Sequence, residues 1–281
     1  MTESSRRPGA ASIVRRVLAI ASATVLGLTL AGPAAAAPPG ADAPLTLPGQ
    51  DRLDWSGHTK WTRPLLGVVV GLDPGHNGGN SDEMARISQR IADGRGGANS
   101  CDRPGISTRS GYAEHQFTFD VHELLTQRLQ YLGATVVTTR SDNDGVGPCR
   151  DVRGRFAEDH DVDLLLSLHA LSSNSPGDTG FAVVVADPPL SDSQREPSAE
   201  LAEAMAAGMF AGGFDIDPEK GEAVTARDGV TTLNFARRPA VRVELGQMYN
   251  LAEAEFMESE QGREAYADAL AEGVLIWARG Q

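Results

Sequence analysis

Four side chains of this chain, His76, Glu114, His169 and Glu244, can bind a metal ion or transfer a proton. Two neutral imidazoles and one carboxylate form a catalytic type of zinc site, which leaves a fourth position open for water. A second carboxylate can take a proton from that water and return it to a leaving nitrogen. No pair among the four has diagnostic spacing, because the chain contains no His-Glu-x-x-His segment. The residue types alone leave open whether the four act together.

Three of these residues are expected to follow or end buried strands. An uninterrupted apolar run at residues 66–72 is typical of a strand buried on both faces of a parallel sheet. The Asp-Pro-Gly turn after it leads directly to His76. A second buried strand, at residues 162–169, ends at a histidine, and Glu244 lies near the end of a strand at residues 240–245. In an open parallel sheet, ligands bind just beyond the carboxyl ends of the strands.

The helix that begins at Glu114 has the clearest pattern. Apolar residues recur at three- and four-residue spacing over residues 114–132, and Gly133 follows as a C-terminal stop. A right-handed crossover starts this helix at the edge where the first strand ends. We therefore predict that all four residues lie on one rim of the sheet.

Strands and helices alternate along the rest of the chain. Further strands are predicted at residues 134–139 and 181–186, and further helices at 150–158, 197–210 and 259–278. This alternation predicts an α/β fold, a single domain over residues 65–281 with a mostly parallel central sheet flanked by helices. The long connection at residues 77–113 is expected to be functional or mobile, with a hairpin or short helix around residues 86–91.

Residues 1–37 have the layout of a secretory signal peptide. Arginines precede an apolar run at residues 17–30, and small residues with an Ala-x-Ala pattern follow. An uncleaved membrane anchor is the alternative, and it is disfavoured because the run is short for a membrane span. Residues 38–64, rich in Pro, Gly and Ala, are predicted to be a spacer. We expect a protein secreted to the cell wall or periplasmic space, without a membrane span after cleavage.

Charge and cysteine content exclude some classes. The formal net charge of −13 argues against a nucleic-acid partner, which needs a clustered basic surface. The chain contains two cysteines, Cys101 and Cys149. An even number of cysteines in an exported chain predicts a disulfide. Two thiolate metal ligands are the disfavoured alternative, because there is no Cys-x-x-Cys spacing. The disulfide would hold the 77–113 connection beside the predicted site.

Four motifs occur in a defined order. Residues 72–78 read Leu-Asp-Pro-Gly-His-Asn-Gly, Glu114 begins the first long helix, residues 167–169 read Ser-Leu-His, and residues 239–246 read Pro-Ala-Val-Arg-Val-Glu-Leu-Gly. This ordered set resembles the zinc-dependent N-acetylmuramoyl-L-alanine amidases of the type-3 amidase family, most of all its compact actinobacterial members. The resemblance covers residues 67–278.

The resemblance implies a role for each of the four residues. His76, Glu114 and His169 would hold Zn²⁺, and Glu244 would be the catalytic base. Water bound to zinc would attack the carbonyl of the lactyl group of muramic acid, and Glu244 would protonate the L-alanine nitrogen as the stem peptide leaves. The expected protein is a monomeric amidase acting on peptidoglycan or muropeptides.

Two other functions stay open. A non-catalytic peptidoglycan-binding protein on the amidase fold would be marked by loss of Glu244 or of a ligand. A zinc peptidase cutting within the stem peptide would share the metal chemistry without the ordered motifs.

Four further residues invite a role. Asp73 is expected to turn the chain or to support His76 through its second imidazole nitrogen. Arg227, Arg237 and Arg238 carry guanidinium groups that suit stem-peptide carboxylates.

Overall fold

The computed structural model describes residues 63–173, 175, 177–216 and 221–281. The predicted signal peptide at residues 1–37 and nearly all of the predicted spacer lie outside the described residues. The described residues all belong to the unit that spans residues 45–281.

A six-stranded sheet occupies the centre of this unit. The strands of the described chain are, in order, β1 (Val69–Pro74), β2 (Arg90–Ala92), β3 (Ala98–Ser100), β4 (Thr135–Thr138), β5 (Leu164–Leu171), β6 (Ala182–Ala186), β7 (Val224–Arg227) and β8 (Ala240–Gln247). The central sheet has the order β4-β1-β5-β8-β6-β7, and its pairs are parallel except for β6 with β8. The predicted mostly parallel sheet is therefore confirmed.

Helices cover both faces of the sheet. The helices of the described chain are α1 (Met84–Ile87), α2 (Glu114–Leu132), α3 (Arg150–Asp159), α4 (Glu196–Ala211), α5 (Thr231–Phe235), α6 (Leu251–Glu258) and α7 (Glu260–Arg279). The α2 helix has the predicted bounds, and it ends because Gly133 adopts a left-handed φ of 105°. None of the helices in the described part of the chain is long and apolar enough to cross a membrane.

Successive side chains of β5 enter different cores, because a strand points them alternately to its two faces. Leu164, Leu166 and Leu168 pack in the core that contains apolar residues of α2, α4 and α7. Leu165 packs in a smaller core with residues of α3 and α5. Both cores fully bury these leucines, which explains why β5 appears in the sequence as an uninterrupted apolar run.

The connection between β1 and α2 is ordered. It contains α1 and an antiparallel hairpin of β2 and β3, so both alternatives predicted around residues 86–91 occur in sequence. The predicted disulfide is present between Cys101 and Cys149, the residue that precedes α3. The backbone N–H of Arg150 also donates to the carbonyl of Cys101, at 2.9 Å. The disulfide therefore attaches this connection to the start of α3.

Candidate functional site

His76, Glu114 and His169 come together at the carboxyl edge of the sheet, and we call them the ligand cluster. Glu114 Oε2 lies 3.2 Å from Nε2 of His76, and its Oε1 lies 3.0 Å from Nδ1 of His169. One possible ligand atom from each residue lies within 4.8 Å of the others. Within the described ranges this is the group of His, Cys, Asp and Glu side chains that can hold a metal ion.

The position of His76 depends on the loop that the disulfide attaches. Its Nδ1–H donates to the carbonyl of Arg103 at 2.9 Å and lies 3.2 Å from Oδ1 of Asp102. These contacts leave Nε2 directed at Glu114, as expected for an imidazole that binds a metal through Nε2. His76 has a left-handed φ of 61°, a conformation that costs a non-glycine residue roughly 1–2 kcal/mol.

Asp73 does not support the imidazole of His76, so the second of its two predicted roles is wrong. Its carboxylate is buried and accepts hydrogen bonds from Thr139, Arg153 and Ser167, each at 2.7 Å. Burial alone would raise the pKa of Asp73, but the charge and hydrogen bond of Arg153 hold that pKa below its usual value. Arg153 also donates to the carbonyl of His76 at 2.9 Å. Asp73 therefore acts on the backbone of the turn through Arg153.

Glu114 is held from both sides. The backbone N–H of Ala170 donates to its Oε1 at 3.1 Å, and that of Ile106 donates to its Oε2 at 3.2 Å. Two glycines near the cluster are needed because the backbone passes close to its side chains. A Cβ on Gly75 would lie 2.3 Å from the His169 ring, and one on Gly105 would lie 3.1 Å from Oε2 of Glu114.

The charges of the ligand cluster favour a cation. Burial alone would raise the pKa of Glu114, but the neighbouring histidines hold it well below its usual value. Burial lowers the pKa of His76, but the carboxylates of Glu114 and Asp102 more than offset this and raise it to about 9. Burial, and then the charge of Arg242, lower the pKa of His169. Without a metal, the cluster therefore attracts a proton to His76, and metal binding releases such protons.

Glu244 lies beside the ligand cluster because β5 and β8 pair in parallel, with His169 opposite Glu244. Its side chain is buried. Oε1 lies 2.6 Å from Nε of Arg242, as an ion pair without hydrogen-bond geometry. Oε2 is buried and has no hydrogen-bond partner within the described part of the chain. A buried carboxylate oxygen left in this way is suited to a partner that is not part of the protein.

A cleft of about 660 Å³ opens beside His169, and we call it the arginine cleft. It runs from the β2–β3 hairpin to the segment after β7. The lining includes four arginines: Arg103, Arg150, Arg227 and Arg242.

Only one of the three arginines predicted to suit stem-peptide carboxylates lines this cleft, and that is Arg227. Arg237 donates to the carbonyl of Leu190 at 3.2 Å, and Arg238 pairs with Asp161. Both are therefore occupied elsewhere on the surface.

Several residues at the site were missed from sequence. Asp102 follows a predicted disulfide cysteine, which was a usable signal. Arg242 lies two residues before Glu244, so it faces the same side of β8, and this spacing was also a usable signal. Arg153 gave no local signal, because it meets Asp73 across 80 residues of chain.

Comparisons with known proteins agree with this geometry. Residues 70–275 match the family described as N-acetylmuramoyl-L-alanine amidase. The N-acetylmuramoyl-L-alanine amidase Rv3717 of Mycobacterium tuberculosis is 38% identical over 211 residues, which is 75% of this chain and 86% of that protein. The apo form of the amidase Ami1 from Mycobacterium abscessus has a TM-score of 0.72 at 36% identity, over 76% of this chain and 99% of that one. Ami1 from Mycobacterium smegmatis has a TM-score of 0.74 at 34% identity, over 77% and 99%.

Proposed function

This chain belongs to the N-acetylmuramoyl-L-alanine amidase family, and on that premise we propose that it is a zinc-dependent hydrolase of the amide bond between N-acetylmuramic acid and L-alanine. The substrate is peptidoglycan or its soluble muropeptides. One observation carries the proposal: a buried glutamate with an unpartnered oxygen, Glu244, stands opposite a histidine of a two-histidine, one-carboxylate cluster.

The donor set of the ligand cluster fits zinc. Two imidazoles and one carboxylate are a common catalytic set for this ion, and they leave a position open. The contact from Nδ1 of His76 to the carbonyl of Arg103 fixes the tautomer that presents Nε2. Zinc bound here supplies a Lewis acid that polarises the scissile carbonyl and acidifies the attacking water.

The remaining chemistry belongs to this chain's own side chains. Glu244 accepts the proton of the attacking water on Oε2 and delivers it to the L-alanine nitrogen as the stem peptide leaves. Arg242 contacts Oε1 and so orients the carboxylate. No covalent bond to the protein forms, because the attacking group is water.

We also propose the location and the domain organisation. Residues 1–37 direct export and are removed, residues 38–64 are a spacer, and residues 65–281 form the catalytic domain. The mature protein acts as a monomer at the cell wall or in the periplasmic space. Two features support export. The N-terminus has the sequence pattern of a signal peptide, and the Cys101–Cys149 disulfide is typical of an oxidising compartment outside the cytosol.

The test is metal content and turnover of a muramoyl dipeptide by the purified protein and by two variants. We expect about one zinc per chain in the wild type. Glu114→Ala should lose the zinc, since it removes the central ligand. Glu244→Gln should keep the zinc and lower kcat by about 10²- to 10⁴-fold, the usual contribution of a general base. Glu200→Gln, on an exposed face of α4, is the matched control and should behave like the wild type.

The products separate the alternatives. Release of a peptide with a free L-alanine amino terminus and an intact sugar is the expected result. Cleavage inside the peptide would replace the amidase with a peptidase. Metal-free protein that binds muropeptide without turnover would replace it with a binding protein.

A further inference from the structure

We propose that the arginine cleft is a carboxylate subsite, in which Arg103 and Arg227 bind anionic groups of the stem peptide. The inference rests on the proposed function, because it requires the scissile amide to lie at the ligand cluster. His169 belongs both to that cluster and to the lining of the cleft. A substrate with its amide at the cluster can therefore extend into the cleft without a gap.

Arg103 and Arg227 have free guanidinium groups. Both residues are exposed, and neither side chain forms an ion pair or hydrogen bond within the described part of the chain. The other two arginines of the cleft are anchored. Arg150 donates to the carbonyl and hydroxyl of Ser100, at 2.6 and 2.8 Å, and Arg242 pairs with Glu244. The cleft thus contains two held and two available cations.

Arg242 is paired with Glu244, but the other three cations of the cleft have no ion-pair partner in the described part of the chain. Asp187 and Asp228 also line it, but neither forms an ion pair with any of the four arginines in the described structure. Burial lowers the pKa of Arg150, the charge of Asp102 partly offsets this, and the charges of Arg103 and Arg242 lower it further. Mutual repulsion of this kind is relieved by an anionic ligand. Guanidinium groups match carboxylates well, because both are planar and can form two parallel hydrogen bonds.

The walls of the cleft are fixed without a ligand. Arg95, in the β2–β3 hairpin, donates to the carbonyl of Asp228 at 2.8 Å and to that of Pro188 at 2.7 Å. Asn99 of β3 donates to Thr231 Oγ1 at 2.9 Å. Arg227 ends β7, opposite Ala186 of β6. The cleft volume also lies within the usual range of ligand pockets.

The charge of the substrate decides which part enters the cleft. The lactyl carboxyl of the muramic acid is an amide in the substrate, and the sugar itself is uncharged. The carboxylates therefore belong to the peptide side. The chain as a whole has a formal charge of −13, so this cluster of cations does not follow from a basic composition. Locally it offsets the repulsion between an acidic protein and an acidic peptide.

The test uses two muramoyl dipeptides of nearly identical shape. Muramoyl-L-alanyl-D-glutamate has free carboxylates, and in its diamide both carboxylates are carboxamides. We expect the wild type to favour the dicarboxylate in kcat/KM by about tenfold or more, as a charge-assisted hydrogen bond provides. The double variant Arg103→Gln/Arg227→Gln should bring this ratio close to one, through a loss on the dicarboxylate alone. Arg237→Gln, an exposed arginine outside the cleft, is the matched control and should keep the wild-type ratio.

Either of two results would overturn the subsite: a wild-type ratio near one, or an unchanged ratio in the double variant. If the wild type hydrolyses neither compound, the proposed function fails, and the subsite is then judged by calorimetry. Wild-type protein should bind L-alanyl-D-glutamate at least about tenfold more tightly than its diamide, and the double variant should not. Equal binding of the two peptides by the wild type would reject the subsite independently of catalysis.

Discussion

Arg140 and Arg153 lie behind the ligand cluster, whereas Arg103 and Arg227 lie in the cleft beside it, and the two pairs have opposite surroundings. Arg153 is buried against Asp73 and Asp102, and it also donates to backbone carbonyls, including those of Pro74 and His76 in the turn. Arg140 donates to backbone carbonyls of that turn and of the start of α2. Burial, and then the charge of Arg153, lower the pKa of Arg140 to about 9.

The difference separates support from recognition. A buried guanidinium whose N–H groups all donate hydrogen bonds fixes the backbone around it. Its removal leaves a carboxylate without its ion-pair partner, or carbonyls without a hydrogen-bond donor. An exposed guanidinium without partners contributes little to the folded state, so its charge remains for a ligand. In this chain, one residue type therefore builds the site and also selects what enters it.

The largest effect is expected from Arg153→Met. The variant leaves the carboxylate of Asp73 buried without its cation, which should lower the free energy of unfolding by about 3–5 kcal/mol. Urea denaturation followed by circular dichroism measures it. The double variant Asp73→Asn/Arg153→Met should be less destabilised than the sum of the single variants, because the two residues are in contact. Additive single effects would contradict the pairing.

The next largest effect is expected from the disulfide, which lies between the buried arginines and the arginine cleft. Cys101 is followed by Asp102, in contact with Arg153, and then by Arg103 of the cleft. Replacing both disulfide cysteines, Cys101 and Cys149, with serine should lower the free energy of unfolding by about 2–4 kcal/mol. It should also weaken the preference for the dicarboxylate substrate. A variant that loses stability and keeps the full preference would show that the cleft is positioned independently of the disulfide.

The pH dependence of stability tests the buried pair of Asp73 and Arg153. The folded-state pKa of Asp73 lies below the ordinary value of 3.8. Its stabilisation is therefore complete above that value and is lost as the pH falls through the folded pKa. The stability gap between the wild type and Asp73→Asn should be constant near pH 7 and shrink below about pH 4. Denaturation at stepped pH measures this gap, and a constant gap down to pH 2 would contradict the assignment.

The smallest effect is expected in the cleft. Arg103→Gln and Arg227→Gln should change the free energy of unfolding by no more than about 0.5 kcal/mol, since neither guanidinium has a protein partner. The same urea experiment measures both. A loss above 1 kcal/mol in either variant would show that the arginine supports the fold, and the comparison drawn above would fail for it.

The elements with strong periodicity were predictable from sequence. The α2 helix has its predicted bounds, and β5 begins and ends about two residues later than predicted. Both elements could be detected because their apolar residues recur at helical spacing or without interruption. The β7 strand and the α5 helix were missed. The β7 strand is half exposed at the sheet edge, and α5 has only five residues, so neither has a period to detect.

The candidate site divides in the same way. The ligand cluster and Glu244 could be proposed together because each residue begins, follows or lies near the end of an element whose direction was predictable. The support of His76 by Asp102, and of the turn by Arg153, depends on how distant loops fold back. No local pattern encodes that. Among Arg227, Arg237 and Arg238, only the folded structure distinguishes the cleft residue from the two surface residues.

His76 combines a strained backbone with a side chain that has several partners. Glycine adopts a positive φ without steric cost, so His76→Gly would relieve strain of roughly 1–2 kcal/mol. The same change would remove an imidazole from the ligand cluster. It would also leave the buried carboxylates of Glu114 and Asp102 without the imidazole that contacts both, a loss larger than the strain relieved. At position 76 the fold and the enzyme therefore retain the same side chain, in spite of its backbone strain.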